Sequence, residues 1–332
     1  MEKKIALTGI KPTGIPHIGN YIGAIKPALN LSQTCEARYF IADYHALNSI
    51  KDPVQLRQLT IEVAAAWLAS GLDPEKVMIY RQSQVPETHE LLTILLAFTP
   101  KGLMNRAHAY KALIQKNRED EKDIDDGVNM GLFTYPMLMA ADILLFDTDL
   151  VPVGNDQFQH IEMAVDVAQS FNFIYGCDAF KLPQPLATEA TKIVLGLDGR
   201  KMSKSYGNTI PLFTPEKALR KLIMKIVTNS QGIEDPKDPD ICSIFSLYRH
   251  FATDAMVAEL RAKYHAGGMG WGHAKQELFE AMNAVLSPLR KTYDDLMDNQ
   301  DYIISTLKNG SSNARELASR KISYLRTVVG LD

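Results

Sequence analysis

The stretch Lys4–Asn20, KIALTGIKPTGIPHIGN, decides the fold. Lys4 to Ile10 is an apolar, β-rich run that reads as a buried strand, and Gly9, Gly14 and Gly19 punctuate the turn that leaves it. Glycine lets the backbone approach a ligand closely. Free N–H groups and the dipole of a following helix make such a turn suited to phosphate. Asp43 ends a second strand near where a dinucleotide fold places its ribose-binding acid, but the glycine spacing is not G-x-G-x-x-G, so NAD is disfavoured. His17 taken alone reads more readily as a capping or packing histidine than as a catalytic one.

Working outward, Arg38 to Ala42, Val77 to Tyr80 and Leu150 to Val153 read as further strands. Between them, Ile18, Ile22, Ile25 and Leu29 recur at helical spacing, as do Leu56, Leu59, Val63 and Trp67 behind the cap and first-turn pair Asp52 and Pro53. Leu132 to Leu145 and Gln157 to Ala168 read as helices. This alternation predicts an α/β fold, a doubly wound parallel (Rossmann-like) sheet. Residues 100–127 interrupt it with a basic, mostly helical piece and the charged run REDEKDIDDG, an exposed insertion. After about Gly207 the strands stop. Residues 215–229, 254–265, 273–308 and 312–329 favour helices, with breaks expected at Gly267 to Gly272 and at Asn309 and Gly310. The expected division is a Rossmann-like domain over 1–208, with the insertion at about 100–127, and an all-helical domain over 209–332.

The chain's 332 residues suit two domains, and 46% hydrophobic with 23% charged residues excludes collagen-like and disordered classes. The apolar runs Leu91 to Phe98 and Tyr135 to Ala141 fall far short of the ~20 residues that cross a bilayer, so no membrane span is expected. Three separated cysteines, Cys35, Cys177 and Cys242, form no CxxC pair. They leave neither a disulfide framework nor a closed zinc site, and they fit a reducing, cytoplasmic setting. A net charge of -3 confines any nucleic-acid contact to a local patch.

A second motif is GLDGRKMSKSYGN (196–208), in which Lys201, Met202, Ser203, Lys204 and Ser205 lie between Gly199 and Gly207. A cationic loop can close over a polyphosphate and neutralise charge that builds on a leaving group. The alternative, a solvated surface loop, is disfavoured by five specified residues downstream of a glycine-rich HIGN turn.

Together HIGN and KMSKS resemble the paired nucleotide motifs of class I aminoacyl-tRNA synthetases. TYPMLMAADILLF (134–146), LVPVGNDQFQHIE (150–162) and PTGIPHIGNYIGAI (12–25) are similar to the tryptophan branch of that family, and such segments cover most of residues 5–208. The resemblance implies a tryptophan–tRNA ligase: ATP-dependent activation of L-tryptophan to tryptophanyl-adenylate with loss of pyrophosphate, then transfer to the terminal adenosine of tRNA(Trp), family precedent favouring its 2'-hydroxyl. It implies Mg²⁺ bound with ATP, no metal held by protein side chains, and a cytoplasmic homodimer whose helical part reads the anticodon.

By the same resemblance, Asp142 accepts the indole N–H. Met139, Val151 and Val153 wall the ring, although a helical core stripe also explains such residues. Tyr135 and Gln157 hold the ammonium and carboxylate ends of tryptophan. Gly154 and Asp156 receive adenine and ribose. Thr13, His17, Gly19 and Asn20 line the nucleotide, and Lys201, Met202, Ser203 and Lys204 close over pyrophosphate. His17, Asn20, Lys201 and Lys204 are the expected catalytic set. Asn20 stands where the wider family has a second histidine, and asparagine is usual in the tryptophan branch. Lys11 stands where bacterial relatives often carry glutamine; a lysine there would attract a carboxylate or phosphate. Lys111 matches a triphosphate-binding lysine loosely and a surface lysine equally. Lys217, Arg220, Lys221 and Lys225 share a helical face that would track tRNA phosphates or simply be solvated.

The nearest rival is the tyrosine branch, with the same motifs and an acid at the position of Asp142. MAADIL, VPVGNDQ and the absence of a first-strand tyrosine favour tryptophan. A small nucleotidyltransferase and a non-catalytic paralogue are the remaining readings; the helical tail argues against the first and the intact KMSKS against the second.

Overall fold

Five strands build one parallel sheet in the order β3-β2-β1-β4-β5: β1 Ile5–Ile10, β2 Glu36–Ile41, β3 Met78–Arg81, β4 Leu150–Val153 and β5 Gln184–Ala187. The computed structural model describes residues 3–154, 157–187 and 194–332. The Rossmann-like expectation holds, and β5 is an addition. QPLA carries neither alternation nor β-branched residues, and Pro185 is tolerated because β5 lies at the sheet edge. The strand order reverses between β1 and β4, which opens a crevice at their carboxyl ends where such folds bind ligands.

Local signals account for most helices. Asp52 caps α4 (Pro53–Ala69), its Oδ1 accepting from the backbone N–H of Val54 at 2.8 Å. Asn129 caps α8 (Met130–Leu144), and Gly176 ends α9 (Phe158–Tyr175) in the left-handed conformation. The helix expected from Ile18 to Leu29 is α1 (Ile18–Asn20) and α2 (Lys26–Leu31) joined by a π turn at Tyr21–Ile25. The insertion contains α6 (Lys101–Met104) and α7 (His108–Glu119), and its acidic run is exposed. Buried Asn117 organises that run by donating to the carbonyls of Ile124 and Asp126.

Side chains alternate across the sheet as strand geometry requires. Tyr39 and Ile79 enter a core that also holds Trp67, Ile210, Phe245 and Met282, while Phe40 and Tyr80 enter the opposite core with Leu91, Met137 and Phe171. The C-terminal helices α10 (Glu216–Met224), α11 (Ser243–Tyr248), α12 (Asp254–Ala266) and α13 (Trp271–Asp298) contribute to the first core. α14 (Gln300–Val329) contributes to both, Ile303 and Leu307 on one side and Ala314, Ala318, Ile322 and Leu325 on the other. It crosses the β3 edge.

That crossing corrects two sequence expectations. Asn309 and Gly310 break nothing: α14 runs through them, and the interruption falls at Asn299, between α13 and α14. Gly310 is small because a Cβ there would stand 1.8 Å from the carbonyl oxygen of Ile79. Helix and strand backbones meet at this point. Expected from this contact, Gly310→Ala lowers stability by ~2 kcal/mol through forced separation of α14 from β3, which a shifted denaturation midpoint would show. Helix 215–229 is shorter than expected, ending at Met224, and the Gly267–Gly272 break runs from Gly267 to Gly270.

Candidate active site

The turn after β1 and the KMSKS loop meet. Ile18 donates its backbone N–H to the carbonyl of Ile210 at 2.9 Å, Leu212 donates to that of Pro16 at 3.0 Å, and the N–H of Gly19 points at the sulfur of Met202 at 3.3 Å. Gly14 has φ +142°, and a Cβ there would stand 2.7 Å from the ammonium of Lys204. Lys204 is an exposed residue whose charged end is tucked over this glycine; desolvation there lowers its pKa, opposed by Glu62. Asn208 pins the loop: its Oδ1 accepts from the N–H of Ser203 at 2.8 Å, and its Nδ2 donates to Asp198 at 2.6 Å and to the carbonyl of Lys201 at 3.0 Å. Ser203 caps the short turn Lys204–Tyr206, which Gly207 closes in the left-handed conformation. Lys201 is exposed and Met202 buried.

His17 and Asn20 form a reciprocal cap. The N–H of Asn20 donates to Nδ1 of His17 at 3.3 Å, and the N–H of His17 donates to Oδ1 of Asn20 at 3.0 Å. Because Nδ1 accepts, Nε2 carries the proton of the neutral ring. Burial, with the Lys204 charge beside it, pushes the His17 pKa down from 6.5 to about 4. A histidine whose folded pKa is lowered contributes stability that is complete above pH 6.5 and is lost as pH falls toward 4, where the unfolded chain binds the extra proton. NMR titration of the His17 ring in the ligand-free protein is expected to show a midpoint near 4, rising in Lys204→Met but staying below 6.5 because burial is the larger cause.

Behind this turn lies a cavity of about 270 Å³ lined by Lys11, Tyr135, Met139, Asp142, Val151, Val153, Gly154 and Gln157, with Gly9, Phe40 and His45 among the other walls. Eight expected residues thus come together. α8 presents Tyr135, Met139 and Asp142 on one face, β4 brings Val151 and Val153, and Thr13 follows Lys11 in the loop toward His17. Gly9 leaves room for the ring of Phe40, its register partner on β2: a Cβ there would stand 2.5 Å from that ring. The Lys11 ammonium lies 5.4 Å from the centroid of the Tyr135 ring. Asp156 lies outside the described residues. Lys111 is exposed on α7 and is not among the cavity walls.

Three residues given no role from the sequence, His45, Gln82 and His160, complete the site. Asp142, 2% exposed, accepts from Nε2 of His45 at 2.9 Å and from the amide of Gln82 at 2.8 and 2.9 Å. A carboxylate can only accept, so Nε2 of His45 is protonated. Its Nδ1 is buried without a hydrogen-bond partner among the described residues. His160 bridges the other end: Gln157 Oε1 accepts from its Nδ1 at 3.0 Å, so its Nε2 accepts the Tyr135 hydroxyl proton at 2.8 Å. That orients the tyrosine oxygen as an acceptor. The sequence hint was slight: His45 sits two residues beyond Asp43, and His160 three beyond Gln157.

Asp43 itself serves the scaffold. It is 3% exposed and accepts from Arg81 Nε at 2.5 Å, Ser83 Oγ at 2.5 Å, the N–H of Ser83 at 2.9 Å and the N–H of Tyr44 at 3.1 Å. Lys217, Arg220 and Lys221 are exposed along α10 and Lys225 just past its end, with Leu219 and Ile223 buried behind them.

The chain matches the family of class I tRNA synthetases (W and Y) over residues 1–287. It is 50% identical over 328 residues to the tryptophan–tRNA ligase of Xanthomonas campestris pv. campestris, covering 98% of this chain and 76% of that one. The enzyme of the same name from Pseudomonas putida is 49% identical over 98% of this chain and 73% of its own length. A crystal structure of tryptophanyl-tRNA synthetase from Campylobacter jejuni complexed with ADP and tryptophan superposes with a TM-score of 0.87 at 43% identity, covering 98% of this chain and all of that one. A tyrosyl-tRNA synthetase from Archaeoglobus fulgidus, 21% identical with a TM-score of 0.65, shares the fold. The glycine turn, the lysine loop and the acid-ended cavity therefore occur in a chain that belongs to the class I tRNA synthetases, on their tryptophan branch.

Proposed function

We propose that the cavity and the two nucleotide motifs carry out tryptophan activation and transfer, the reaction of a tryptophan–tRNA ligase. The observation that carries the reading is the placement of a single buried acid, Asp142, at the wall of an apolar cavity that Gly9 and Lys11 also line, the residues that lead into the turn where Gly14 meets Lys204. The indole N–H donates to Asp142, while Met139, Val151 and Val153 enclose the ring. Tyr135 and Gln157 hold the ammonium and carboxylate ends, with Lys11 drawing the carboxylate or the α-phosphate toward the turn.

The tryptophan carboxylate attacks the α-phosphorus of ATP and the bond to the bridging oxygen breaks, releasing pyrophosphate. Neutral His17 donates from Nε2 to phosphate oxygens, Gly19 and Thr13 admit the chain of phosphates, and Lys204 and Lys201 balance charge on the departing group. Gly154 and Asp156 receive adenine and ribose, and Asn20 holds His17 in place. The side chains assigned to the phosphates, His17, Lys201 and Lys204, are cationic or neutral, so Mg²⁺ would be held by the ATP phosphates. In the second step a ribose hydroxyl of the terminal adenosine attacks the adenylate carbonyl and AMP leaves. The exposed α10 cations track tRNA, the C-terminal helices read the anticodon, and two copies act as a cytoplasmic dimer. Among the described residues no helix is long and apolar enough to cross a membrane.

ATP–pyrophosphate exchange with each of the twenty amino acids tests this. Exchange with tryptophan alone is expected; exchange driven by tyrosine would overturn the assignment.

A further inference from the structure

Gln82 belongs to no motif, is not among the walls of the Asp142 cavity, and is fully buried (0% exposed). Its amide nitrogen bridges both oxygens of Asp142 at 2.8 and 2.9 Å, and its Oε1 accepts from the N–H of Tyr44 at 3.1 Å. A carboxylate offers about four acceptor positions. Gln82 takes two and His45 a third, leaving one for a donor inside the cavity. A donor that bridges both oxygens also fixes the plane of the carboxylate, because rotation about Cβ–Cγ breaks one of the two contacts. Gln82 thereby sets where the remaining lone pair points.

The turn that carries it, Gln82–Gln84, is gripped on its far side by α14. Ser311 Oγ donates to Gln84 Oε1 at 2.8 Å and accepts from the N–H of Arg81 at 3.2 Å. Five residues past Gln82, Glu87 accepts from Arg315 at 3.1 Å and from Ser319 at 2.9 Å, two further residues of the same helix. Ser311 adjoins Gly310, the point where α14 touches the β3 backbone, so its hydroxyl reaches the turn without side-chain slack.

We propose that Gln82 is a positioning residue for side-chain selection: it aims the free acceptor of Asp142 at the ligand, and Ser311 of α14 seats the turn that holds Gln82. Selection of the amino acid then depends on how the C-terminal helix docks. This deepens the functional reading above and rests on Asp142 as the indole acceptor.

Exchange kinetics on the full chain test it. Gln82→Met keeps volume and removes the bridging donor. It is expected to raise the tryptophan KM by about tenfold or more, with kcat at saturating tryptophan and the KM for ATP within about threefold. A purely structural residue would instead lower the active fraction, and so kcat, with an unmoved tryptophan KM; that result overturns the proposal. Ser311→Ala is expected to raise the tryptophan KM about threefold in the wild-type background and not at all in the Gln82→Met background. Multiplying effects would overturn the part given to α14. Should Gln82→Met fail to fold, Ser311→Ala decides, an unchanged KM counting against the proposal. A wild-type chain that exchanges only with another amino acid sinks the functional reading; a tryptophan-dependent wild type with a normal Gln82→Met sinks this inference alone.

Discussion

Replacing Lys204 with alanine is expected to slow ATP–pyrophosphate exchange by about 10²–10³-fold while tryptophan affinity stays within about threefold. The asymmetry follows from where the charge stands. The ammonium lies over Gly14, in the phosphate turn, and Asp142 and its cavity are served by other residues. Binding tryptophan creates no new charge at that turn. Expulsion of pyrophosphate does, and an interaction that strengthens as negative charge leaves the α-phosphorus lowers the barrier without tightening the ground state. The cost of holding a desolvated cation is present before ATP arrives, as the lowered pKa of Lys204 indicates. Lys204→Arg is expected to recover only part of the rate, because the planar fork cannot occupy the space that Gly14 leaves for a compact ammonium. Equal losses of rate and of tryptophan affinity would contradict this role. Stopped-flow formation of the adenylate beside equilibrium tryptophan binding gives both quantities.

Asp142→Asn is expected to weaken tryptophan binding by about 3 kcal/mol, roughly a hundredfold in KM. The loss has two sources. An amide oxygen is a poorer acceptor for the indole N–H than a carboxylate. In addition, Gln82 and His45 both present donors to this side chain, at 2.8 to 2.9 Å, so an Asn amide group meets a donor with its own N–H on one side. The pocket would rearrange or leave a buried donor unsatisfied. Discrimination against phenylalanine, which lacks a ring donor, is expected to fall by a similar factor because phenylalanine never used the acceptor. Unchanged discrimination in competition exchange assays would remove Asp142 from the pocket.

The fold and the two nucleotide motifs were legible in the sequence for a physical reason: each is written in consecutive residues. A strand that gives way through Gly14 to a turn and then to a helix holding Gly19 has its backbone conformation set by local sterics. Strands and helices announce themselves by periods of two and 3.6 residues, which survive any neighbour. The cap Asp52 lies beside the helix it starts. Asp142 is singled out by the resemblance of TYPMLMAADILLF to the tryptophan branch, and an acid on a buried helix must find a donor in protein or ligand.

What only tertiary structure decided depends on residues far apart in the chain. Asp142 meets His45 across 97 positions and Gln82 across 60, and neither partner carries a local signature. Gly310 reads as a helix breaker until Ile79 is set against it, when the missing Cβ becomes the condition for contact. β5 is a strand because β4 lies beside it, and α14 belongs to both cores because it rounds the β3 edge. Local sterics fix which shapes a segment can take, but the worth of a buried donor, a bare glycine or an edge strand is set by whatever packing brings within reach of it.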